Sequence, residues 1–592
     1  MTVLLSCVGI KKEFGDAVIL KDVAFDIMTN DRVGLVGING AGKSTIANII
    51  YGNLKIDGGN ILWHKKDIEI GYLHQSSKYS QVILNRGNEE DNYYDGTREF
   101  KEDFYQISSE LGMEKVSRWE EDRLSNLSGG EKMKIALANI WALNPDFLIL
   151  DEPTNHLDYG GVQWLIQELK KYKGTILIIS HDRYFLDKTV KKIIEIRDGK
   201  ADTYHGDYSF YRTEKKRRYE SQLHQYELQE ATKEKIRNEI DTLSQWSDKA
   251  HRDSVKKQRA GLGKKEYFRK KAKKKDKQIK SRIKRLEKID VTGVEKPQED
   301  KKIDFAFNEA NVKGKRIVEG KEMRKAYGDR VLFKDSSFYI KRGEKVGIFG
   351  DNGCGKTTLL KILLGQETLD SGEIFVSEAV EKGYLSQETI DVDGGMKVID
   401  LFNITSREEG GRIRTLLVNM GFDENMINKP LSTLSLGELT RIRMTKLILK
   451  NQELLVLDEP LNHLDIYSRE KLEEALIDYN GTILVVSHDR YMLQNLCNVL
   501  LVFKDNKITR VNGTAREYLE GIEDNIDKKI SQSKKEVEMS RTSQEEKLII
   551  ENEIAFVLGE FSKYGQGSKE YEELDEKFKS LMLRKRELMV GK

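Results

Sequence analysis

The sequence predicts an α/β protein made of two tandem copies of one domain, with a long helical linker between them and a helical extension after them. Three observations predict this organisation. Motifs recur at nearly constant spacing: Lys356 follows Lys43 by 313 residues, and Asp458 follows Asp151 by 307. Uninterrupted apolar runs precede these motifs, as parallel strands covered on both faces require. No proline occurs from residue 154 to residue 296, which permits long helices.

The repetition also sets the expected domain boundaries. The four segments are 1–208 for the first copy, 209–300 for the linker, 301–515 for the second copy and 516–592 for the extension. Within the linker, apolar residues at helical spacing flank a stretch at 247–268 that loses this periodicity and contains two glycines. The linker is therefore predicted to be an antiparallel helical hairpin with a tip at 247–268. The extension is predicted to be a second charged helical pair, either a solvated hairpin or a binding element.

The composition argues against membrane and disulfide-rich proteins. The 592 residues are 38% hydrophobic and 33% charged. No apolar run approaches the roughly 18–20 residues that span a bilayer. Three widely spaced cysteines favour neither a disulfide framework nor a zinc cluster. A cytoplasmic protein without membrane contact is therefore expected.

The net charge of +2 conceals a strong asymmetry along the chain. Residues 249–288 contain 19 lysines and arginines against 4 acidic residues. A segment of one sign predicts a polyanionic partner such as nucleic acid. The alternative is a solvated, charged coiled coil that has no partner.

Two glycine-rich loops, GINGAGKST at 37–45 and GDNGCGKTT at 350–358, fit the phosphate-binding pattern G-x-x-x-x-G-K-[ST]. Their glycines let backbone N–H groups surround phosphate oxygens, their lysines reach the outer phosphates, and the next hydroxyl can bind Mg²⁺. The sequence therefore predicts two nucleoside triphosphate sites. Their predicted contacts are Gly37, Asn39, Gly40, Gly42, Lys43, Ser44 and Thr45 in the first loop, and Gly350, Asn352, Gly353, Gly355, Lys356, Thr357 and Thr358 in the second.

A pair of adjacent carboxylates follows an apolar run in each copy, in DEPTNHLD and in DEPLNHLD. Asp151 and Asp458 end the runs and are predicted to hold Mg²⁺ together with Ser44 of the first loop and its counterpart in the second. Phosphoryl transfer to water also needs an oriented nucleophile. Glu152 and Glu459 are the residues predicted to orient that water, so the pattern indicates hydrolysis rather than binding alone.

Two further residue types recur in matched contexts. Gln75 in GYLHQ and Gln387 in GYLSQ are predicted to sense Mg²⁺ and the attacking water. His181 and His488 both stand in SHDRY at the end of an apolar run, where a side chain can touch the γ-phosphate. A lone histidine is more often structural, but two in identical contexts favour a catalytic role.

Aromatic residues and a serine-glycine motif complete each predicted site. Phe14 and Tyr327 precede Gly-Asp turns in parallel positions and are predicted to stack on a base, with core packing as the alternative. LSGGE at 127–131 and LSLGE at 434–438 each open a helix whose N–H groups suit an anion. The residues of these motifs predicted to face nucleotide are Ser128, Gly129, Gly130, Ser435 and Gly437.

These motifs, in this order and twice, resemble those of the ABC ATPases, and the joined DEPTNHLD boxes resemble those of the ABC-F proteins in particular. The resemblance implies ATP and Mg²⁺ as ligands. It also implies a monomer whose two copies close head to tail, with Lys43 facing Ser435 and Lys356 facing Ser128. ABC-F proteins act on ribosomes. The implied partners are the bacterial ribosome at its tRNA exit site, 23S-type rRNA and P-site tRNA.

Two features distinguish branches of that family: the long linker, and an arm that some members insert before LSGGE. Housekeeping members carry an arm before LSGGE, but the interval at 76–126 is only five residues longer than its counterpart. The long basic linker resembles the antibiotic-resistance branch, which displaces drugs from the peptidyl-transferase centre. A general translation factor is the alternative. The residues predicted to contact RNA are Trp246, Lys256, Lys257, Arg259, Lys264, Lys265, Tyr267, Phe268, Arg269, Lys270 and Lys271.

The two sites depart from the family pattern in different ways. Leu436 replaces the first glycine of the second signature, and Leu461 replaces the threonine of DEPTN. A leucine beside phosphate crowds an approach that glycine permits, so the site with Lys43 and Ser435 is predicted to turn over more slowly. Three rival functions remain: a nucleic-acid-associated ABC ATPase with a C-terminal coiled coil, the ATPase subunit of a transporter, and a switch that does not hydrolyse nucleotide.

Overall fold

The structure is a computed structural model of the chain. It describes residues 2–74, 107, 129–155, 157–256, 262–297, 316–378, 380–386, 395–450, 452–462, 464–522, 550–560 and 569–590. The chain divides into two compact units, Met1–Asn512 and Gly513–Lys592. The first unit contains both predicted copies and the linker, and the second contains the extension.

The first copy combines a twisted sheet with helices on its faces. Its strands are β1 (Val3–Phe14), β2 (Ala17–Met28), β3 (Arg32–Val36), β4 (Gly58–Trp63), β5 (Ile70–Leu73), β6 (Phe147–Asp151), β7 (Thr175–Ile179), β8 (Lys192–Arg197) and β9 (Lys200–His205). Its helices are α1 (Lys43–Tyr51), α2 (Gly129–Trp141), α3 (Tyr159–Lys171) and α4 (Arg183–Thr189). The apolar runs read from the sequence form the central strands, which are fully buried.

The strand order places the motif-bearing strands side by side. The nine strands run in the order β4-β1-β2-β9-β8-β3-β7-β6-β5. The pairs from β8 to β5 are parallel, so the carboxyl ends of β3, β6 and β7 lie at one edge. Ligands bind at this edge in open α/β sheets. The phosphate loop follows β3, the adjacent carboxylates follow β6, and the SHDRY motif follows β7.

The second copy repeats this architecture with its sheet split in two. Its strands are β10 (Arg316–Tyr327), β11 (Arg330–Lys341), β12 (Lys345–Phe349), β13 (Ser371–Val376), β14 (Lys382–Leu385), β15 (Leu454–Asp458), β16 (Thr482–Val486), β17 (Val499–Lys504) and β18 (Lys507–Asn512). Its order is β11-β10-β13 and β14-β15-β16-β12-β17-β18. In the first copy, the single pair Asp22–Lys200 joins the two corresponding sheets.

The helices of the second copy surround its six-stranded sheet. After the linker helices, which take the labels α5 and α6, they are α7 (Lys356–Leu363), α8 (Arg407–Asn419), α9 (Glu424–Ile427), α10 (Leu436–Leu449), α11 (Ile466–Asp478) and α12 (Arg490–Leu496). Two short 3₁₀ helices, Ile399–Phe402 and Leu431–Thr433, precede α8 and α10. Helices α3 and α11 have bounds 307 residues apart at both ends, so they occupy equivalent positions.

The linker is a pair of long helices, α5 (Tyr208–Lys256) and α6 (Leu262–Thr292). Polar contacts join the two helices along the pair, among them Ser247 Oγ to Asp276 Oδ1 at 2.6 Å and Arg282 Nε to Glu239 Oε2 at 2.6 Å. Helix covers most of the range predicted as a tip without periodicity. The reason is that lysine, arginine and glutamine are good helix formers even where no apolar face repeats.

Within the described residues of the second unit, the helices are α13 (515–522), α14 (550–560) and α15 (Lys569–Val590). Its small apolar cluster brings Ile550 and Val557 of α14 against Leu581 of α15, with Ile554 and Phe578 partly buried beside them. Among the helices that the structure describes in either unit, none combines the length and hydrophobicity needed to cross a bilayer.

Candidate nucleotide sites between the two copies

The first phosphate loop connects β3 to α1 at the carboxyl edge of the sheet. Gly42 is the N-cap of α1 and has a φ of 97°, in the left-handed region that favours glycine. A Cβ there would also lie 2.7 Å from Leu20 Cδ2. Lys43 Nζ donates to the carbonyl oxygens of Gly37 and Ile38 at 2.9 and 3.0 Å. The lysine therefore lies across the loop with its ammonium inside the loop's curve.

The second loop has the same geometry. Gly355 caps α7 with a φ of 106°, and Lys356 Nζ donates to Gly350 O at 2.8 Å and to Asp351 O at 2.9 Å. Burial lowers the pKa of Lys43, while the nearby Glu152 opposes that shift. Both loops thus hold a buried ammonium that donates hydrogen bonds to two carbonyl oxygens of the loop.

The carboxylates lie beside the loop hydroxyls in both copies. Asp151 accepts hydrogen bonds from Ser44 and from the hydroxyl of Tyr72, the latter at 3.4 Å. Asp458 accepts one from Thr357. Burial raises the pKa of both aspartates above its usual range. Each copy therefore joins one hydroxyl and one carboxylate, which are oxygen donors of the kind that Mg²⁺ prefers.

The two glutamates share an unusual backbone. Glu152 and Glu459 have φ angles of 51° and 49°, a strained conformation for residues other than glycine. Their N–H groups donate to Ile179 O and Val486 O on the adjacent strands, which holds them there. Burial is the largest cause that raises the pKa of Glu152 to about 7 and that of Glu459 to about 8. Oε1 of each is buried and accepts no hydrogen bond from a described residue.

The two histidines face these glutamates. His181 Nε2 lies 3.4 Å from Glu152 Oε1, and its backbone N–H donates to Glu152 Oε2 at 3.3 Å. His488 stands in the same relation to Glu459, at 3.6 and 3.4 Å. Burial lowers the pKa of His181 well below its usual value and that of His488 to about 4. Both imidazoles are therefore neutral at pH 7.

The first cavity, of about 520 Å³, has walls from both copies. The first copy contributes its phosphate loop, Glu152 and His181, while the second contributes Ser435, Leu436 and Gly437. Ser435 caps α10 and forms a capping box with Glu438. Leu436 is 47% exposed and lines this cavity. Lys43 and Ser435 thus line the same cavity, and their facing across a bound nucleotide stays a prediction.

The second cavity, of about 670 Å³, contains residues 352–358 of the second loop together with Asp458, Glu459 and His488. The first copy contributes residues near DEPTNHLD, including Thr154 and Asn155. Leu461, only 2% exposed, also lines it. Gly129 and Gly130 begin α2, and Gly130 does not line this cavity. Ser128, Gln75 and Gln387 lie outside the described residues. It therefore stays a prediction that Lys356 faces Ser128 and that the two glutamines sense Mg²⁺ and the attacking water.

Two aspartates of the DEPTNHLD-type boxes bridge the copies. Asp465 Oδ1 caps α11 by accepting from Ser468 N, and its Oδ2 accepts from Asn39 N of the first loop at 3.2 Å. Asp158 repeats this arrangement with α3 and Asn352 N, also at 3.2 Å. The sequence shows both aspartates at the end of these boxes, but no role was predicted for them. Their signal is the N-cap position, which leaves one carboxylate oxygen available.

The two aromatic residues are at the cavities rather than in the core. Phe14 is 49% exposed and lines the first cavity, and Tyr327 is 50% exposed and lines the second. Lysine ammoniums approach both rings, at 5.4 Å for Phe14 and 5.2 Å for Tyr327. The alternative of core packing is therefore wrong for both, and stacking on adenine stays a prediction.

The predicted RNA-contacting residues belong to the far half of the linker. Trp246 is 55% exposed, and Lys275 Nζ lies 4.7 Å above its ring. Lys270 and Lys271 are exposed on α6. Lys257 and Arg259 lie outside the described residues. Of the remainder, the structure describes only their place in a helix: Lys256 ends α5, and Lys264, Lys265, Tyr267, Phe268 and Arg269 lie in α6.

Comparison with known proteins identifies the class. A family described as ABC transporter matches residues 20–155 and 333–462, and an extension family with the same description matches 194–307. The protein is a twin-domain ABC ATPase, and the predicted fold class is confirmed. ABC ATPase domains bind ATP with Mg²⁺ and hydrolyse it, and the arrangement of loop lysine, hydroxyl, carboxylates and histidine in each copy fits that chemistry.

Individual relatives narrow the family. The chain is 37% identical to the ribosome protection protein VmlR of Bacillus subtilis (strain 168), over 99% of both chains. It is 31% identical to the energy-dependent translational throttle protein EttA of Mycobacterium tuberculosis (strain ATCC 25618 / H37Rv), over 84% of this chain and 90% of the relative. It is also 31% identical to ABC transporter F family member 2 of Arabidopsis thaliana, over 90% and 80%. The chain belongs to the ABC-F family.

A solved structure supports the architecture. The archaeal ribosome recycling factor aABCE1, solved with an archaeal ribosomal stalk protein, matches with a TM-score of 0.55 at 20% identity, over 88% of this chain and 92% of that one. At this identity the match shows the fold alone.

Proposed function

We propose that this chain is an ATPase with two composite sites, and that closure of its copies on ATP and Mg²⁺ lets it bind the bacterial ribosome. The observation that carries the ATPase part is the first cavity, whose wall joins Lys43 and Glu152 of one copy to Ser435 of the other. A site shared between copies ties nucleotide occupancy to closure, because its ligand contacts both copies only in the closed arrangement.

The chain's own side chains suit the parts of ATP hydrolysis. Lys43 and Lys356 hold the β- and γ-phosphates, and Phe14 and Tyr327 support the adenine. Bound Mg²⁺ would neutralise part of the phosphate charge. In the first site Ser44, Asp151 and Gln75 would hold it, and in the second Thr357, Asp458 and Gln387. Asp458 Oδ2 is buried without a hydrogen bond from a described residue, which supports its availability for such a ligand.

The hydrolytic step falls to the glutamates and histidines. Glu152 and Glu459 each have a buried Oε1 that faces the neighbouring histidine and accepts no hydrogen bond from the part of the chain that the structure describes. That carboxylate oxygen can accept a hydrogen bond, and then a proton, from the attacking water. The contact directs a lone pair of the water oxygen toward the γ-phosphate. His181 and His488, neutral at pH 7, each have one ring N–H that can donate to a phosphate oxygen.

The ribosome is the proposed partner because two observations agree. The linker gathers a strong positive charge onto a helical hairpin, and the relatives named above include proteins of ribosome protection and translation. In this proposal the protein binds at the tRNA exit site, and the hairpin extends from there toward the peptidyl-transferase centre, beside P-site tRNA and 23S-type rRNA. The tip of the hairpin displaces antibiotics from that centre. Lysines neutralise rRNA phosphates, and Trp246, Tyr267 and Phe268 stack on exposed bases.

The test is to shorten the hairpin without disturbing its base. Residues 248–274 are replaced by a short Gly-Ser turn, which keeps the Ser247–Asp276 hydrogen bond and the Trp246–Lys275 contact at the new tip. The expected result is normal ATPase activity with no rescue of translation from drugs that act at the peptidyl-transferase centre. Rescue by the shortened protein would overturn the proposed mechanism.

One alternative is a general ABC-F translation factor, which the similarity to EttA favours. The same experiment separates the two functions. If the full-length protein alters translation equally with and without drug, and the shortened protein does not, the general role is correct. Rescue only in the presence of drug supports protection.

A further inference from the structure

Arg469 lies between the two candidate ATP sites and is a feature that the repeated motifs do not contain. It is in the first turn of α11, four residues after Asp465, and its side chain is 13% exposed. It lines both cavities. The equivalent residue of the first copy, 307 positions earlier, is Val162 in α3. The interface therefore contains this cation once, although the fold around it occurs twice.

The guanidinium of Arg469 joins the two SHDRY turns. Its Nε donates to Leu464 O at 2.9 Å, which fixes the group against its own copy. NH1 donates across the interface to His181 O at 3.1 Å and lies 3.8 Å from Asp489 Oδ2. One side chain thus contacts the turn after β7 in the first copy and the equivalent turn after β16 in its own.

From both turns the contacts continue to the glutamates. His181 N donates to Glu152 Oε2, and His488, next to Asp489, donates to Glu459 Oε2. Displacing either turn therefore displaces a glutamate. The positive charge acts in the same direction on both sites, since Arg469 opposes the effect of burial on the pKa of Glu152 and of Glu459.

We propose that Arg469 is a positioning residue shared by the two sites, which holds both SHDRY turns in register and so couples hydrolysis in one site to hydrolysis in the other. This inference rests on the proposed function, because it assumes that both cavities hydrolyse ATP. The planar fork of N–H donors allows one arginine to donate hydrogen bonds to Leu464 O and His181 O while its charge pairs with Asp489. Lysine has a single nitrogen at that distance and cannot replace all three contacts.

The experiment measures steady-state ATP hydrolysis against ATP concentration for the full chain and three variants. Arg469→Met keeps much of the side-chain volume and removes the charge, and Arg469→Lys keeps the charge. Lys471→Met is the matched control, because Lys471 is a cation on the same helix that pairs at 2.7 Å with Glu474 near the surface. The expected result for Arg469→Met is a kcat about tenfold lower, a KM within about twofold of wild type and a Hill coefficient of about 1. Arg469→Lys recovers part of the kcat, and Lys471→Met matches wild type.

Several results would overturn the inference. One is an Arg469→Met variant with wild-type kcat and Hill coefficient. Another is equal loss in the Met and Lys variants together with a matching loss of folded protein, which would indicate a structural role alone. Because the Lys variant keeps the charge, its kcat decides the question even if the Met variant does not fold. Failure of the proposed function is distinguishable, because wild-type protein would then show no ATP hydrolysis at all.

Discussion

Helices α3 and α11 occupy the same position in the two copies, yet they contact the opposite copy very differently. Each is capped by an aspartate that also accepts from the opposite phosphate loop, at 3.2 Å in both cases. After the capping aspartate, α11 carries Arg469, Glu470 and Glu473, where α3 has apolar residues or glutamine: Val162, Gln163 and Ile166.

Arg469, Glu470 and Glu473 each contact the first copy or the linker. Glu473 pairs with Arg183 of α4 at 2.6 Å, and both side chains are 7% exposed. Glu470 accepts from Tyr208 at 2.9 Å and pairs with Arg212 at 2.5 Å, both at the base of α5. Gln163, the counterpart of Glu470, instead donates to Tyr184 of its own copy.

The two copies therefore have the same aspartate contacts to the phosphate loops, but the side chains that α3 and α11 present to the opposite copy differ. The pairs of Glu473 with Arg183 and of Glu470 with Arg212 have no equivalent in α3, where Ile166 and Gln163 replace the glutamates. We infer that the two candidate nucleotide sites differ in function.

The largest expected effect comes from blocking one site at a time. Glu152→Gln and Glu459→Gln each remove a proposed water-orienting carboxylate, which costs about 10²-fold or more in the affected site. Because Leu436 lines the first cavity, Glu459→Gln, which leaves that site active, should retain the lower single-turnover rate. Rapid-quench hydrolysis measures both rates. Equal residual rates would show that the sites are equivalent.

The buried pair between α4 and α11 should matter for stability. Glu473→Ala leaves Arg183 buried, with Asp489 at 3.2 Å as its remaining acidic partner among the described residues. Loss of one partner of a buried pair costs about 3 kcal/mol. The expected result is a lower midpoint for the first thermal transition, read by calorimetry because a multidomain chain does not unfold in one step.

Glu474→Ala is the control for that measurement. Glu474 lies on the same helix and is 59% exposed in its pair with Lys471. Exposed pairs contribute about 0–1 kcal/mol, so the transition should hardly move. If both variants shift the midpoint equally, the contacts of α11 with the first copy do not stabilise the closed arrangement.

A smaller effect is expected at the base of the linker. Glu470→Ala removes the acceptor of Tyr208 and the partner of Arg212, and a hydrogen bond to a charged group contributes about 1.5–3 kcal/mol. Distances between spin labels on α5 and on the second copy should spread more widely than in wild type. Gln163→Ala, which affects only a contact within the first copy, should leave them unchanged. An unchanged distribution in Glu470→Ala would mean that α11 does not orient the linker.

The smallest effect is expected from restoring a glycine. In Glu459→Gln protein, Leu436→Gly should raise the residual single-turnover rate by roughly threefold, because the leucine side chain no longer crowds the phosphates. Leu461→Thr in the same background is the control, because Leu461 lines the other cavity. A rate that falls or stays constant after Leu436→Gly would remove crowding as the cause of the inequality.

Sequence reasoning reached the fold because the features that determine it are local. The glycines and lysine of each loop and the apolar runs before Asp151 and Asp458 predict a parallel sheet with its sites at one edge. The structure has that sheet in both copies. The helical linker followed from its composition in the same way. Local signals also brought Lys43, Ser44 and Asp151 together correctly.

The residues that were missed act across the interface. Arg469 looks like an ordinary exposed helix residue in the sequence, and only the closed arrangement shows that it contacts His181 O. Its one available signal was the mismatch with Val162 at the equivalent position. The backbone strain at Glu152 and Glu459 likewise has no sequence signal, because it depends on hydrogen bonds to neighbouring strands.

The most direct test of the proposed function is co-sedimentation of Glu152→Gln/Glu459→Gln protein with bacterial ribosomes, with and without ATP. Blocked hydrolysis should hold both sites closed, so the account predicts pelleting with ribosomes that depends on ATP. A variant that also carries Lys43→Ala and Lys356→Ala should stay in the supernatant, because it lacks the lysines proposed to hold the phosphates. The contradicting result is hydrolysis-blocked protein that stays in the supernatant with ATP, or pellets equally without it.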